Sequence, residues 1–283
     1  SLEEDLARRD FTVNAMAYHP HHGLVDLYGG REDLKQGVIR CVGDPMLRFS
    51  EDALRILRGL RFASSLGFSL EPSLVAAMES LCSTLQKVAM ERVFVEFTKL
   101  LCGKGSTEIL QEYAHILSPL FCLEQQNISL LSKVPVTPVF RYAALLRNHP
   151  DVKFFLKNLK ASNELIAQVE PLVFLQTQTP PNTLFETRKW VFRYGVDCVE
   201  KMPVLFQASN IECSLFIEHL ATIGQQSLCC SLKDLAVNGK DLLALGVPKG
   251  EGLGEMLNTL LFSVMEGTLE NRKEDLLAFA KAL

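Results

Sequence analysis

After Gly43-Asp44-Pro45 the apolar residues recur at helical spacing almost to the carboxyl end. The first forty residues are different: short β-prone runs punctuated by glycine and proline. That contrast predicts strands over 11–13 and 24–27 separated by a loop at 19–23, a short helix over 31–35, and another strand over 38–42. So little sheet cannot bury a face by itself, so the segment reads as part of a larger α/β domain. A helix is then expected to start at Ser50 as N-cap, with Glu51 and Asp52 in its first turn, and to run to about 66 or 67. Further helices are expected near 71–82, 90–102, 105–114, 138–147, 161–176, 183–194, 212–224, 238–245, 252–267 and 271–282. Candidate hinges lie at 103–105, 134–138 and 179–181. No fixed-period repeat points to a solenoid.

On a helical wheel of 51–62, Ala53, Ile56, Leu57 and Leu60 gather on one side while Asp52, Arg55 and Arg58 face the opposite arc. Asp52 and Arg55 are three apart, the spacing of an ordinary surface ion pair contributing about 0.2–0.5 kcal/mol. The same two groups also form a hydrogen-bonding edge. A carboxylate only accepts and a guanidinium only donates. Cytosine and adenine set an exocyclic amine beside ring acceptors and so match that edge. Uracil and guanine place an oxygen where the amine should be and do not. Arg61 lies about half a turn from Asp52 and cannot share one small base with it; it serves a phosphate at the margin or braces the fold.

Composition changes this picture little. The 283 residues are 48% hydrophobic and 22% charged, ordinary globular values, with no apolar run long enough for a membrane span. Eight cysteines without C-x-x-C spacing predict reduced thiols rather than a disulfide framework or a zinc site, and hence a cytoplasmic setting. The net charge of −4 does not advertise nucleic-acid binding, although local potential rather than total charge guides a phosphate backbone. The chain opens on Ser without a basic-then-apolar leader and reads as a fragment. His19-Pro20-His21-His22 lacks Cys or acidic partners at ligand spacing, so no metal site is expected there. Trp190, with Phe185, Phe192 and Tyr194, reads as packing between helices.

Three stretches carry a resemblance. They are Arg8-Arg9-Asp10-Phe11-Thr12-Val13-Asn14-Ala15-Met16, then Asp26-Leu27-Tyr28-Gly29-Gly30-Arg31-Glu32-Asp33-Leu34, then Glu51-Asp52-Ala53-Leu54-Arg55-Ile56-Leu57-Arg58-Gly59-Leu60-Arg61-Phe62. In that order and spacing they resemble the second, third and fourth motifs of class II tRNA nucleotidyltransferases, the CCA-adding enzymes. Glu91-Arg92 with Glu96 and Lys99 resembles the fifth, a helix bracing the fourth. The stretch from Leu235 to Leu242, with the glycines up to Gly254, is similar to the tRNA-elbow-binding tail of bacterial members.

The resemblance implies a mainly α fold: the remnant of an α/β nucleotidyltransferase palm over 1–43, a helical templating neck over 44–125, and a helical tRNA-binding body and tail over 126–283. It implies that CTP and ATP are substrates and tRNA the partner, the tRNA 3′-hydroxyl attacking the α-phosphate with release of pyrophosphate. Arg9 would then hold the nucleotide, Asp10 read the ribose 2′-hydroxyl, and Asp52 with Arg55 template the base. Arg58 and Arg61 would contact phosphates or base, with Arg8 a secondary candidate. Lys240 and Lys249 are available to tRNA phosphates. The second stretch, Asp26 to Leu34, reads as architecture. The family's first motif, whose Asp-x-Asp pair binds catalytic Mg2+, is not found in the chain, so the polypeptide alone is expected to be inactive. No His-Asp doublet occurs in 141–149, so no phosphohydrolase activity is expected there. Bacterial poly(A) polymerase, a CC- or A-adding specialist, and a non-catalytic RNA-binding module remain the alternative readings.

Overall fold

The computed structural model describes residues 1–21 and 23–282, and its first surprise lies where a strand was expected over 11–13. Thr12–Asn14 is a single 3₁₀ turn, and only Phe11 keeps an extended contact, an isolated antiparallel bridge to Cys41. The cause is local. The Phe11 N–H donates to Asp10 Oδ1 (3.2 Å) and Asn14 Oδ1 (3.3 Å), and such side-chain acceptors draw the backbone out of a ladder. This turn follows a short helix, α1 (Leu2–Ala7). The hairpin forms further on, from β1 (Met16–His19) and β2 (Gly23–Asp26), which pair antiparallel.

The helix expected over 31–35 is α2 (Gly30–Gln36). Asp26 caps it by accepting from the N–H groups of Gly30 (2.8 Å) and Arg31 (2.9 Å). The two glycines at its start serve different ends. Gly29 sits at φ 75°, a left-handed angle, whereas a Cβ on Gly30 would lie 2.2 Å from the Thr12 carbonyl oxygen. Gly30→Ala must therefore push two backbones apart. We expect it to destabilise the protein by about 2 kcal/mol in urea unfolding, against a few tenths for the exposed Lys35→Ala.

The strand expected over 38–42 shrinks to β3 (Val38–Ile39). It pairs in parallel with β4 (Ser69–Leu70), across α3 (Pro45–Glu51) and α4 (Leu54–Leu66). The single helix expected from Ser50 is thus two. Asp44, followed by Pro45 at the first helical position, caps α3, and Ser50 lies inside that helix with its hydroxyl on the Met46 carbonyl. Asp52 breaks the run, with φ −147° and ψ 101°. Beyond the break, Ile56, Leu57 and Leu60 are fully buried, as the wheel requires.

The first compact unit, Ser1–Thr177, continues through α5 (Pro72–Leu81), α6 (Met90–Leu101), α7 (Ser106–Tyr113), α8 (Gln125–Ile128), α9 (Pro138–Leu145), α10 (Val152–Asn158) and α11 (Asn163–Gln176). Helices α4 and α6 pack closely; the buried Ser64 hydroxyl donates to the Leu100 carbonyl at 2.7 Å across their contact.

The second unit, Gln178–Leu283, begins next to the expected hinge at 179–181. It holds α12 (Leu184–Tyr194), α13 (Val196–Val199), α14 (Met202–Ala208), α15 (Ser214–Gln226), α16 (Gly239–Ala244), α17 (Glu251–Glu266) and α18 (Lys273–Ala282). One part of its core is built on Leu242, Leu260, Leu261 and Leu276. Trp190 packs edge-on to Phe216 at 5.7 Å, between helices as expected. The buried Arg188 guanidinium donates to the carbonyls of Cys229 (3.0 Å) and Met265 (2.9 Å), the latter in the last turn of α17, where a cation suits the helix dipole. The mainly α class with a small sheet remnant holds. All eight cysteines are free thiols, and among the described residues no helix is long and apolar enough to cross a membrane.

Candidate nucleotide-binding site

Arg8, Arg9, Asp10, Asn14, Arg55 and Arg58 line an open cleft of about 420 Å³ in the first unit. Four guanidiniums and one carboxylate around one space make an anion-attracting site with a single strong acceptor. Each is held from behind. Arg8 and Arg9 share Asp5, Arg9 at 3.0 Å, and Arg9 also donates to the Asn14 carbonyl at 2.8 Å. Arg48 donates to the carbonyls of Ala7 and Arg9, and Arg55 to that of Arg8 at 3.3 Å, so the α3–α4 corner staples the arginine segment in place.

Asp10 is buried yet ionised. Burial alone would raise its pKa, but hydrogen bonds from Arg58 (2.5 Å) and Asn14 (2.7 Å) and the Arg58 charge outweigh it, holding the carboxyl below the usual range. Arg58 reaches on to Glu96 Oε1 at 3.5 Å, and Glu96 Oε2 accepts from Arg61 Nε at 2.9 Å. Asp10, Arg58, Glu96 and Arg61 thus form one charge-alternating chain from the cleft to α6. Arg61 is mostly buried, its guanidinium 3.6 Å from the Phe62 ring centre, and it is not among the cleft-lining residues. Of the two roles left open for Arg61, its surroundings are those of a brace.

Asp52 departs from expectation in its setting. Because it leaves the helix, it is not on the α4 wheel, and it forms no ion pair with Arg55. Its Oδ1 accepts from the Leu54 N–H (3.1 Å) and its Oδ2 from Arg92 (2.8 Å). Burial pushes its pKa up, but Arg92, the Leu54 N–H and the nearby Arg55 charge together bring it below the ordinary value. Arg55 instead pairs with Glu51 at 2.6 Å, one turn earlier, and with the Arg48 carbonyl at 3.0 Å. Of the expected residues, Arg9, Asp10, Arg55 and Arg58 line the cleft, whereas Asp52 and Arg61 do not; Asp52 lies three positions before Arg55, and Arg61 joins the cleft only through Glu96 and Arg58. Lys240 and Lys249 are exposed in the second unit, Lys240 in the first turn of α16.

Sequence reading missed Arg48 and Glu51 as organisers because α3 was not foreseen; the Asp44-Pro45 pair is the signal that would have found it. Arg92 lay in a segment assigned only to bracing. The second stretch behaves as architecture: Asp33 accepts from the Thr12 hydroxyl at 2.6 Å and from Arg40, tying α2 to the turn below the cleft. His22 of the His19–His22 group lies outside the described residues.

Comparison with known proteins agrees with this architecture. A family model for tRNA nucleotidyltransferase domain 2 matches residues 141–280, one for the poly A polymerase head domain matches 1–40, and one for an RNA- and SrmB-binding site of polymerase A matches 67–116. A CCA-adding enzyme of Streptococcus pneumoniae is 36% identical over 294 residues, covering 99% of this chain and 72% of the relative. One of Enterococcus faecalis is 36% identical over 300 residues, covering 99% and 71%. The crystal structure of Bacillus stearothermophilus CCA-adding enzyme in complex with CTP superposes with a TM-score of 0.84 at 30% identity, over all of this chain and 74% of that one. The Thermotoga maritima CCA-adding enzyme complexed with tRNA matches with a TM-score of 0.65 at 25% identity, over 99% and 73%. With both sequence and fold matched along its whole length, the chain belongs to the CCA-adding enzyme family of tRNA nucleotidyltransferases.

Proposed function

We propose that this chain selects CTP and ATP and docks the tRNA 3′ end for CCA addition in the cytoplasm, where its eight free thiols stay reduced. The observation that carries the reading is the arginine-lined cleft with one ionised acceptor, Asp10, and with Arg55 on its wall. Arg9 and Arg58 offer donors to a triphosphate. Asp10, oriented by Asn14 and Arg58, accepts from a ribose 2′-hydroxyl, which a deoxyribonucleotide lacks. Asp52 takes the exocyclic amine of cytosine or adenine and Arg55 the neighbouring ring acceptors. Arg61 keeps Glu96, and through it Arg58, in register.

Residues 1–43 supply the head portion, 44–125 the templating neck, and 126–283 the tRNA-binding body and tail, with Lys240 and Lys249 on phosphates. Magnesium, which in such transfers activates the attacking oxygen and steadies the leaving group, does not fit the residues present. No group of three or more His, Cys, Asp or Glu side chains among the described residues could hold a metal, and guanidiniums cannot ligate a hard cation. This chain by itself is expected to bind nucleotides without transferring them.

The test is equilibrium binding of the four ribonucleoside triphosphates, beside extension of tRNA lacking its CCA end. CTP and ATP should bind at least tenfold tighter than UTP and GTP. Equal affinities would remove the selection role, and extension by the purified chain would remove the expected inactivity.

A further inference from the structure

The two groups assigned to the base are both occupied, and by partners of opposite kind. Asp52, which should accept an amine, instead accepts from Arg92; Arg55, which should donate to ring nitrogens and oxygens, instead donates to Glu51. The occupants are cheap to displace. The Arg92 and Glu51 side chains are 54% and 53% exposed, and each meets its partner across a surface ion pair. The groups they occupy are better fixed: Asp52 by the Leu54 N–H, Arg55 by the carbonyls of Arg48 and Arg8.

We propose that Arg92 and Glu51 are internal stand-ins for the base, and that nucleotide selection is a double exchange of partners: the incoming amine displaces Arg92 from Asp52, and the incoming acceptors displace Glu51 from Arg55. The inference rests on the templating reading above. It makes selectivity a competition. Cytosine and adenine replace both contacts in kind, donor for donor and acceptor for acceptor, so little hydrogen bonding is lost. Uracil and guanine bring an oxygen to Asp52 and an N–H to Arg55, cannot perform either exchange, and leave both stand-ins seated. The stand-ins also keep the template satisfied between nucleotides, sparing a half-buried carboxylate and a largely buried guanidinium from standing unpaired.

Competition predicts the opposite sign from bracing. Bracing makes Arg92 a support whose loss blunts discrimination; a competitor's loss sharpens it. The decisive measurement is the ratio of CTP to UTP affinity, and of ATP to GTP affinity, in the whole chain carrying Arg92→Met or Glu51→Gln. Removing a positive charge should weaken, and removing a negative charge strengthen, binding of every triphosphate through long-range attraction. The exchange nevertheless requires both variants to raise both ratios, by about two- to fivefold, the size of an exposed ion pair. Arg92→Lys, which keeps the pair, should stay near the wild-type ratios. Thermal midpoints within about 2 °C of wild type would show that both variants fold, as their exposure leads one to expect.

A ratio that falls or stays constant in either variant overturns the exchange while leaving the templating pair intact. A wild-type chain with no preference for CTP and ATP would sink the templating reading, and this inference with it.

Discussion

Asp52→Ala and Arg55→Ala should each cut the preference for CTP and ATP over UTP and GTP by at least tenfold, while changing tRNA affinity less than twofold. The size follows from what each side chain does. A site built to hydrogen-bond a polar edge rejects a mismatched base because its own buried groups are left unpaired, so deleting one group removes the rejection with the contact. The two variants should fail differently. Without Asp52, Arg92 has no partner and remains a donor beside the base, so uracil and guanine, which offer an oxygen there, gain most. Without Arg55, Glu51 keeps Arg48 at 2.8 Å, and loss of affinity for the correct nucleotides should dominate. Competition binding with all four nucleotides measures both effects. Unchanged discrimination in both variants would remove the template assignment.

Arg58→Met should be the most destabilising single change at the site, by about 3 kcal/mol, lowering the thermal midpoint by roughly 6–12 °C. Among the described residues Arg58 is the one cation paired with both Asp10 and Glu96, and their side chains are each only 8% exposed. Its removal leaves Asp10 with Asn14 and backbone donors alone, and Glu96 with Arg61 and a distant Lys99.

The pH dependence separates this cause from a simple packing defect. In the wild type the Asp10 pKa is lowered on folding, so its contribution is fully present above the unfolded carboxylate value of about 3.9 and is lost as pH falls through the lower folded value. In the variant, burial is no longer outweighed and the folded pKa moves up, reversing the sign of that contribution. The stability deficit should therefore be largest near pH 7 and shrink towards pH 3. Urea unfolding of both proteins across that range measures it, and a deficit independent of pH would refute the ionic account.

How legible this was depended on how local each cause is. The apolar face of α4 and the existence of α6 and α11 were readable because helical periodicity needs only the spacing of side chains along one helix. The strand expected over 11–13 failed although its residues are β-prone, because Asp10 and Asn14 capture the backbone between them. The helix expected to begin at Ser50 failed for a related reason. Asp44-Pro45 starts a helix earlier, and Asp52 stops it by accepting from the backbone two residues on. That error mattered: the carboxylate and guanidinium thought to share one helical face lie on either side of a break.

By itself the sequence determined the helical class, most of the longer helices, the buried face of α4, and the three stretches whose resemblance placed the chain in its family. Only the tertiary structure decided who pairs with whom. Arg92 reaches Asp52 across 40 positions, Arg58 reaches Asp10 across 48, and Arg61 reaches Glu96 across 35. The physical reason is range. Helical periodicity is a property of neighbours along the chain, whereas a charge finds its partner through space, and composition offers each arginine many carboxylates among which only the packing of α4 against α6 and the α3–α4 corner chooses.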